Sequence, residues 1–175
     1  TVSSAGASGD YISNVNFNAG VINNTTGDAP LDYTDYAALV ATVTAGSTYN
    51  ISVTTGPTYS QGKGVYIDYN KNGVFTDAGE FVWSAPSAIG IASGSFTIPA
   101  SASSGVVRMR VVCYYVTQPT SANSCNIAGF GEYEDYRLDI SGGTGLQPIL
   151  AYAWAPATFL STTTGNTTNA NSVNT

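Results

Sequence analysis

The chain has 175 residues and is 43% hydrophobic, so it is long and apolar enough to form one packed domain. Only 9% of its residues are charged and its formal net charge is −6, which argues against binding to nucleic acid or to an anionic membrane. No apolar run is long enough to predict a segment that spans a membrane.

Short stretches in which apolar and polar residues alternate follow one another along the chain, and alternation at period two is typical of β-strands. Gly, Pro, Ser and Asn separate these stretches, as they do in turns, and no stretch has a helical period. The predicted strands are residues 11–22, 36–44, 47–54, 63–69, 80–84, 94–98, 105–115 and 133–140. The pattern predicts an all-β protein, either an antiparallel sandwich or a barrel.

The segment DYNKNGVFTDAGE, residues 68–80, lies between two predicted strands and is rich in side-chain oxygens. Its Asp and Asn residues stand at the first, third and fifth positions of an EF-hand-type loop, with glycine at the sixth, a pattern that binds Ca²⁺. The predicted calcium ligands are Asp68, Asn70, Asn72, the carbonyl of Val74, Asp77 and Glu80.

This segment departs from an EF-hand, because Gly79 stands at the twelfth position and a predicted strand follows. We therefore expect a similar loop between two strands, with a weak Kd of roughly 10⁻⁴–10⁻³ M. The alternative is a hairpin turn without metal, since Asn72–Gly73 favours a type I′ turn and the other Asp and Asn residues form Asx turns.

The acidic residues occur in three groups, whereas the chain has only five basic residues. We therefore expect most carboxylates to lack an ion-pair partner and to be compensated by solvent or by a cation. The groups are Asp28, Asp32 and Asp35; Asp68, Asp77 and Glu80; and Glu132, Glu134, Asp135 and Asp139. This grouping is a second indication of a hard cation such as Ca²⁺.

The two cysteines, Cys113 and Cys125, flank a predicted loop. A single disulfide between them fits an exported chain, and the alternative is two free buried thiols. The chain has no histidine, so the common nucleophile–base arrangements are absent. Glu132 and Glu134 form the best candidate for a glycosidase-type carboxylate pair, but a metal site or a solvated strand end explains them more simply. We expect a protein that is not an enzyme, with no catalytic residues.

Four aromatic residues near the predicted disulfide loop form a candidate ligand platform, because exposed aromatic rings on β-sandwiches bind sugars by stacking. They are Tyr114, Tyr115, Phe130 and Tyr133. The alternative is that these rings fill the faces of strands, where tyrosine is common.

Two motifs together resemble the GEVED domain of secreted and cell-surface bacterial proteins: GVYIDYNKNGVFTDAGEFVW and GFGEYEDYRLDI. The name-giving motif is here GEYEDY, residues 131–136, with Tyr133 where the family more often has Val. The resemblance covers roughly residues 10–140. It implies an extracellular, jelly-roll-like β-sandwich that is a non-catalytic part of a longer chain. It also implies calcium binding through Asp68, Asn70, Asn72 and Glu80.

Beyond this region, residues 141–148 read as a linker, and residues 149–175 resemble the opening of an immunoglobulin-like repeat. So short a segment cannot bury its own apolar residues. The candidate docking residues are Tyr152, Trp154, Phe159 and Leu160. They could contact the same sandwich, the rest of a repeat, or a neighbouring subunit in a filament.

The function expected from the sequence is a structural or adhesive extracellular module stabilised by calcium. The alternative is a carbohydrate-binding or accessory module of a larger secreted hydrolase. The expected partners are other domains or copies of the same protein, or a surface glycan, and neither nucleic acid nor a membrane span is expected.

Overall fold

The computed structural model describes residues 9–29, 32–126 and 129–145. These residues form nine β-strands, which are arranged in two sheets. The strands are β1 Ile12–Phe17, β2 Ile22–Thr25, β3 Tyr33–Thr44, β4 Thr48–Thr55, β5 Gln61–Ile67, β6 Phe81–Ala88, β7 Ile91–Thr97, β8 Gly105–Tyr115 and β9 Gly131–Ser141. A short 3₁₀ turn, Ser121–Asn123, lies between β8 and β9. The sequence-based prediction of an all-β fold is confirmed.

The four-stranded sheet has the order β2-β1-β4-β7, and the five-stranded sheet has the order β3-β9-β8-β5-β6. Neighbouring strands run antiparallel throughout, except for β3 and β9, which pair in parallel. The architecture is therefore consistent with a β-sandwich dominated by antiparallel pairing. The parallel pair joins residues that are about 100 positions apart in sequence, and no local pattern predicts such a pairing.

The main hydrophobic core contains alternate residues from strands of both sheets, as a sandwich requires. Val15, Ile51 and Val53 contribute from the four-stranded sheet, and Met109 and Leu138 from the five-stranded sheet. Because side chains alternate along a strand, the residues between them point away from this core. The chemical character of the outward face of each sheet is therefore determined by these intervening residues.

A second, smaller core lies on the outward side of the five-stranded sheet, and we call it the outer aromatic cluster. Its buried members are Tyr66, Phe75, Val112, Tyr114 and Tyr133, with Tyr33, Phe81 and Cys125 packed against them. Tyr66, Val112 and Tyr114 alternate along their strands with residues of the main core, such as Val111 and Cys113. The five-stranded sheet is therefore covered on both faces.

Two boundaries differ from the predicted strands. The stretch 11–22 is broken after Phe17, because Asn18, Ala19 and Gly20 all adopt positive φ (50°, 53° and 96°) and turn the chain into β2. The stretches 80–84 and 94–98 lengthen into β6 and β7, and the chain passes from the five-stranded to the four-stranded sheet through a turn at Ile89–Gly90. The predicted stretch 11–22 was therefore too long for one strand, and the predicted stretches 80–84 and 94–98 were too short.

The described part of the predicted linker, residues 141–145, is attached to the sandwich. The N–H groups of Thr144 and Gly145 donate to the carbonyls of Ala100 (2.9 Å) and Ala102 (3.1 Å). Residues 149–175, which include the candidate docking residues Tyr152, Trp154, Phe159 and Leu160, lie outside the described residues.

Candidate functional site

The loop of residues 68–80 connects β5 to β6, two neighbouring strands of the five-stranded sheet. Backbone hydrogen bonds fix both of its ends: Asp68 N donates to Arg108 O (3.0 Å), and Ile67 N donates to Glu80 O (2.8 Å). The first and last predicted calcium ligands are therefore held next to each other at the edge of the sandwich.

The carboxylate of Asp68 organises the turn. Its two oxygens accept the backbone N–H groups of Asn72 (3.1 Å) and Gly73 (3.0 Å). Lys71 and Gly73, rather than Asn72, adopt positive φ (62° and 86°), so the type I′ turn expected at Asn72–Gly73 is not formed. The Asx turns are present, since the side-chain oxygens of Asn70 and Asn72 each accept a backbone N–H two residues further on (3.0 Å each).

Asp77 completes the polar cluster from the other side of the loop. Its Oδ2 accepts the side-chain amides of Asn70 (2.7 Å) and Asn72 (2.6 Å). Four of the predicted ligands thus form one hydrogen-bonded group. Val74 follows directly, with its N–H bonded to Asn72 and its side chain exposed.

Glu80 is buried (2% exposed) at the end of the loop. Its Oε1 accepts the N–H of Tyr69 (3.0 Å), but its buried Oε2 has no hydrogen-bond partner within the described part of the chain. Burial, followed by the negative charges of Asp68 and Asp77, raises the pKa of this carboxyl group. An orphaned carboxylate oxygen beside two further carboxylates is costly unless a cation compensates it.

A metal at this loop could not be held by carboxylates alone. Among residues 9–29, 32–126 and 129–145, no three His, Cys, Asp or Glu side chains form a group that could bind a metal ion. Amide and carbonyl oxygens from Asn70, Asn72 and Val74 would have to contribute. An all-oxygen set of this kind suits Ca²⁺, which accepts six to eight oxygens in flexible geometry, and does not suit transition metals.

The GEYEDY motif lies on β9, and alternation sends its acids to opposite faces of the sheet. Glu132 and Glu134 point into the sandwich and are almost fully buried (1% and 0% exposed), whereas Asp135 points outward. Glu132 accepts the N–H groups of Ile12 (2.6 Å) and Ala29 (3.2 Å), so it joins β9 to the start of the four-stranded sheet. A carboxylate pair in this position is closed to a polymeric sugar.

Burial raises the pKa of Glu132 to about 8 and that of Glu134 to about 7. Glu134 Oε2 accepts the Tyr136 hydroxyl (2.7 Å), and its Oε1 has no hydrogen-bond partner among the described residues. Burial between the sheets therefore disfavours the charged form of both acids in the folded protein.

Asp135 forms a two-pronged ion pair with Arg110, a residue that the sequence analysis did not select. Arg110 Nε and Nη2 donate to the two carboxylate oxygens of Asp135 (2.7 and 2.8 Å). The guanidinium also lies over the rings of Phe75 (4.8 Å), Tyr133 (5.5 Å) and Tyr33 (5.7 Å). Such planar, forked geometry is specific to arginine.

This ion pair holds the segment 116–126, which we call the covering loop, over the outer aromatic cluster. Arg110 Nη1 donates to Ser124 O (2.8 Å), and the Tyr66 hydroxyl donates to Thr120 O (2.6 Å). The loop also presses against Gly62, where an added Cβ would lie 2.0 Å from Thr117 O. The outward face of β5 thus has glycine where the loop crosses it.

Two carboxylates, one on β9 and one on β3, are exceptions to the expectation that most acids lack an ion-pair partner. Asp135 pairs with Arg110 and lies 3.6 Å from Arg108, and Asp35 pairs with Arg137 (2.8 Å). Three of the basic residues are therefore used by two carboxylates that face each other across β3 and β9. For the loop acids Asp68, Asp77 and Glu80, the structure shows no ion pair with any described residue.

The predicted disulfide between Cys113 and Cys125 is wrong, because both thiols are free. Cys113 points into the main core with Met109 and Val111, whereas Cys125 packs against the outer aromatic cluster and accepts a bond from Arg110 Nη1 (3.2 Å). The two sulfurs therefore lie on opposite sides of the five-stranded sheet, and burial raises the pKa of the Cys113 thiol.

The candidate aromatic platform is divided in the same way. Tyr133 and Tyr114 are buried in the outer aromatic cluster, so they cannot stack on a ligand. Tyr115 and Phe130 are exposed (37% and 40%), and Tyr115 makes edge-on contacts with Phe130 and with Tyr59. Rings at nearly right angles do not offer one flat stacking surface.

The model of the GEVED domain family matches residues 62–139, which run from β5 to β9 and include both the loop 68–80 and the GEYEDY motif. No curated protein matches the chain. In the described part of the chain, no helix has the length and apolar character needed to cross a membrane.

Proposed function

We propose that this chain is a non-catalytic structural or adhesive module that calcium stabilises, since residues 62–139 match the model of the GEVED domain, a domain of extracellular proteins. The calcium ligands proposed are Asp68, Asn70, Asn72, the Val74 carbonyl, Asp77 and Glu80. The observation that carries this proposal is the buried Glu80 carboxylate, which has one oxygen without a hydrogen-bond partner among the described residues.

The charge of the loop supports a bound cation. Three carboxylates lie within it. Burial is the largest cause of the raised pKa of Glu80, and the negative charges of Asp68 and Asp77 raise this pKa further. The loop's own cation, Lys71, directs its Nζ to Ser104 O (2.6 Å). A divalent cation would neutralise two of the charges and supply the missing partner of Glu80 Oε2.

Each residue of the loop would have a defined part in holding the ion. Asp68, Asp77 and Glu80 supply negative charge, while Asn70, Asn72 and the Val74 carbonyl supply neutral oxygens. Bound calcium would link the end of β5 to the start of β6. The expected result is a more rigid loop at the edge of the sandwich, which suits a structural or adhesive surface module.

A non-catalytic role fits the other acids. Glu132 and Glu134 are enclosed between the sheets, and Asp135 forms an ion pair with Arg110. The chain has no histidine that could act as a base. The acids of the motif therefore act in the architecture of the domain.

The test is thermal unfolding with calcium against a chelator. For a ligand that binds only the folded state, a concentration ten times the Kd stabilises by about 1.4 kcal/mol. Asp77→Asn should reduce this gain, because Asn keeps an oxygen for the amides of Asn70 and Asn72 but removes the charge. Asp139→Asn, which removes an exposed carboxylate far along β9, is the matched control and should respond like the unmodified chain. Identical unfolding curves in calcium and chelator would contradict the proposal.

A further inference from the structure

The outward face of the four-stranded sheet has no charged residue. Its strands, β1, β2, β4 and β7, contain no Asp, Glu, Lys or Arg at any position. Strand register identifies the outward side chains as Asn14, Asn16, Asn23, Thr25, Thr48, Asn50, Ser52, Thr54, Ile91, Ser93, Ser95 and Thr97. All of them except Ile91 are Asn, Ser or Thr, and we call this surface the amide–hydroxyl face.

The rims of the amide–hydroxyl face are hydrogen-bonded within the protein. At one side, Asn14 Nδ2 donates to Asn23 Oδ1 (2.9 Å) and Thr25 Oγ1 (3.1 Å). At the other side, the hydroxyls of Thr48 and Thr97 bond to each other (2.7 Å). The side chains at the rims therefore already bond to one another.

The centre of the face is different. A depression of about 490 Å³ lies there, and the polar side chains that line it are Asn16, Asn50, Ser52, Ser93 and Ser95. None of these five side chains makes a hydrogen bond to another residue in the described part of the chain. Two amides and three hydroxyls are therefore available to a ligand in one concave place.

The chemistry of this face selects the class of ligand. Without lysine or arginine it has no positive charge for a phosphate or a carboxylate, and without an acid it has no negative charge to compensate a cation. It also lacks the aromatic, methionine and arginine residues that form the centre of protein interfaces. Amides and hydroxyls, which both donate and accept, match a ligand that carries many neutral hydroxyl groups.

The geometry also suits an extended ligand. Outward side chains recur about every 6.8 Å along a strand and about every 4.8 Å across strands. The five free side chains come from three adjacent strands, β1, β4 and β7, so they form a regular array rather than a single point. A polymer with repeated hydroxyls can bond to several of them at once.

We propose that the amide–hydroxyl face binds a neutral polysaccharide, with Asn16, Asn50, Ser52, Ser93 and Ser95 as the contact residues. This inference rests on the adhesive role proposed above, to which it gives a target, and it does not require the calcium loop. It also differs from the aromatic platform expected from the sequence, since the site lies on the opposite sheet.

The test is electrophoresis of the full chain through native gels that contain a soluble neutral polysaccharide. Gels with mannan, xylan, mixed-linkage β-glucan or dextran are compared with gels that contain alginate, an acidic polymer. We expect at least one neutral polymer to retard the chain, alginate to have no effect, and retardation to be independent of salt.

Two variants of the face should abolish or weaken this retardation. The double variant Asn16→Ala/Asn50→Ala removes two neutral hydrogen-bonding groups and should weaken binding by roughly tenfold. Ser93→Lys places a long charged side chain at the depression and should abolish binding. Thr42→Ala, which removes an exposed hydroxyl from the outward side of β3, is the control and should bind normally.

Other outcomes would overturn the proposal. If no neutral polymer retards the chain, the proposed binding site is rejected. If Tyr115→Ala abolishes retardation and Ser93→Lys does not, the binding site lies at the exposed aromatic residues instead. Concentration-dependent self-association that Ser93→Lys abolishes, without any retardation, would identify a second copy of the chain as the occupant. Asp77→Asn, which affects only the calcium loop, should still bind, so a failure of the calcium proposal is seen separately.

Discussion

The outward side of the five-stranded sheet and the outward side of the four-stranded sheet are built on opposite principles. The former carries Arg110 and Asp135 in a buried ion pair, surrounded by aromatic rings and closed by the covering loop. The latter carries amides and hydroxyls, no charge and no covering segment among the described residues. One face thus contributes to the stability of the domain, and the other is left open to solvent.

This comparison teaches that polar residues on a sheet face have two distinct uses. Under the covering loop of the five-stranded sheet they are charged and bonded to named partners, because the Arg110–Asp135 pair fixes the loop. On the four-stranded sheet they are many, neutral and partly unbonded. Only the second arrangement leaves hydrogen-bonding capacity for a ligand.

The largest effect should come from breaking the buried ion pair. Asp135→Asn leaves the Arg110 guanidinium buried without its counter-ion, which costs roughly 3–5 kcal/mol of folding stability. Asp139→Asn, four residues along the same strand and exposed, should cost less than about 0.5 kcal/mol. Unfolding in urea measures both. Equal losses for the two variants would show that the outer aromatic cluster does not depend on the pair.

A pH-dependent effect of intermediate size should come from the acids between the sheets. An unfolded Glu ionises near pH 4.3, whereas Glu134 in the folded protein has a pKa of about 7 and Glu132 of about 8. Between these values the folded chain holds more protons than the unfolded chain, so stability should fall as the pH rises from about 4.5 to 8.

Glu134→Gln should flatten this fall below pH 7, by on the order of 1–3 kcal/mol, because Gln keeps an acceptor for the Tyr136 hydroxyl without a charge to bury. Melting temperatures measured across this pH range test the prediction. A slope that the substitution leaves unchanged would contradict the role given to Glu134.

The smallest effect should come from the amide–hydroxyl face. Ser93→Lys should change the free energy of unfolding by less than about 0.5 kcal/mol, because Ser93 is exposed and has no hydrogen-bond partner among the described residues. Urea unfolding of this variant beside Asp135→Asn makes the comparison directly. A loss above about 1.5 kcal/mol would mean that the face is part of the folded architecture, and it would weaken the case for a free ligand site.

Local alternation was sufficient to predict much of the fold. Strand β8 occupies residues 105–115 as predicted, and β9 extends the predicted stretch 133–140 by a few residues. The family resemblance also holds across residues 62–139. Periodicity and motif were enough here because each strand has one face in the main core.

Pairing and loop placement could not be predicted in this way. The contact of Arg110 with Asp135 depends on the register between β8 and β9, which local sequence does not contain. The two cysteines are separated because the covering loop, which carries Cys125, crosses the outward side of the sheet, whereas Cys113 points into the main core. The uncharged face consists of residues from four separate strands, so it is recognisable only after those strands are assigned to one sheet.

The calcium loop is the central claim, and an amide ¹H–¹⁵N NMR titration with calcium tests it most directly. We expect saturable shifts at Tyr69, Asn72, Gly73 and Val74, whose N–H groups donate to the proposed ligands. The amides of the four-stranded sheet should not move, since none of its residues contributes an oxygen to the loop. Unchanged amide positions throughout residues 68–80, up to roughly ten times the weakest expected Kd, would contradict calcium binding by this domain.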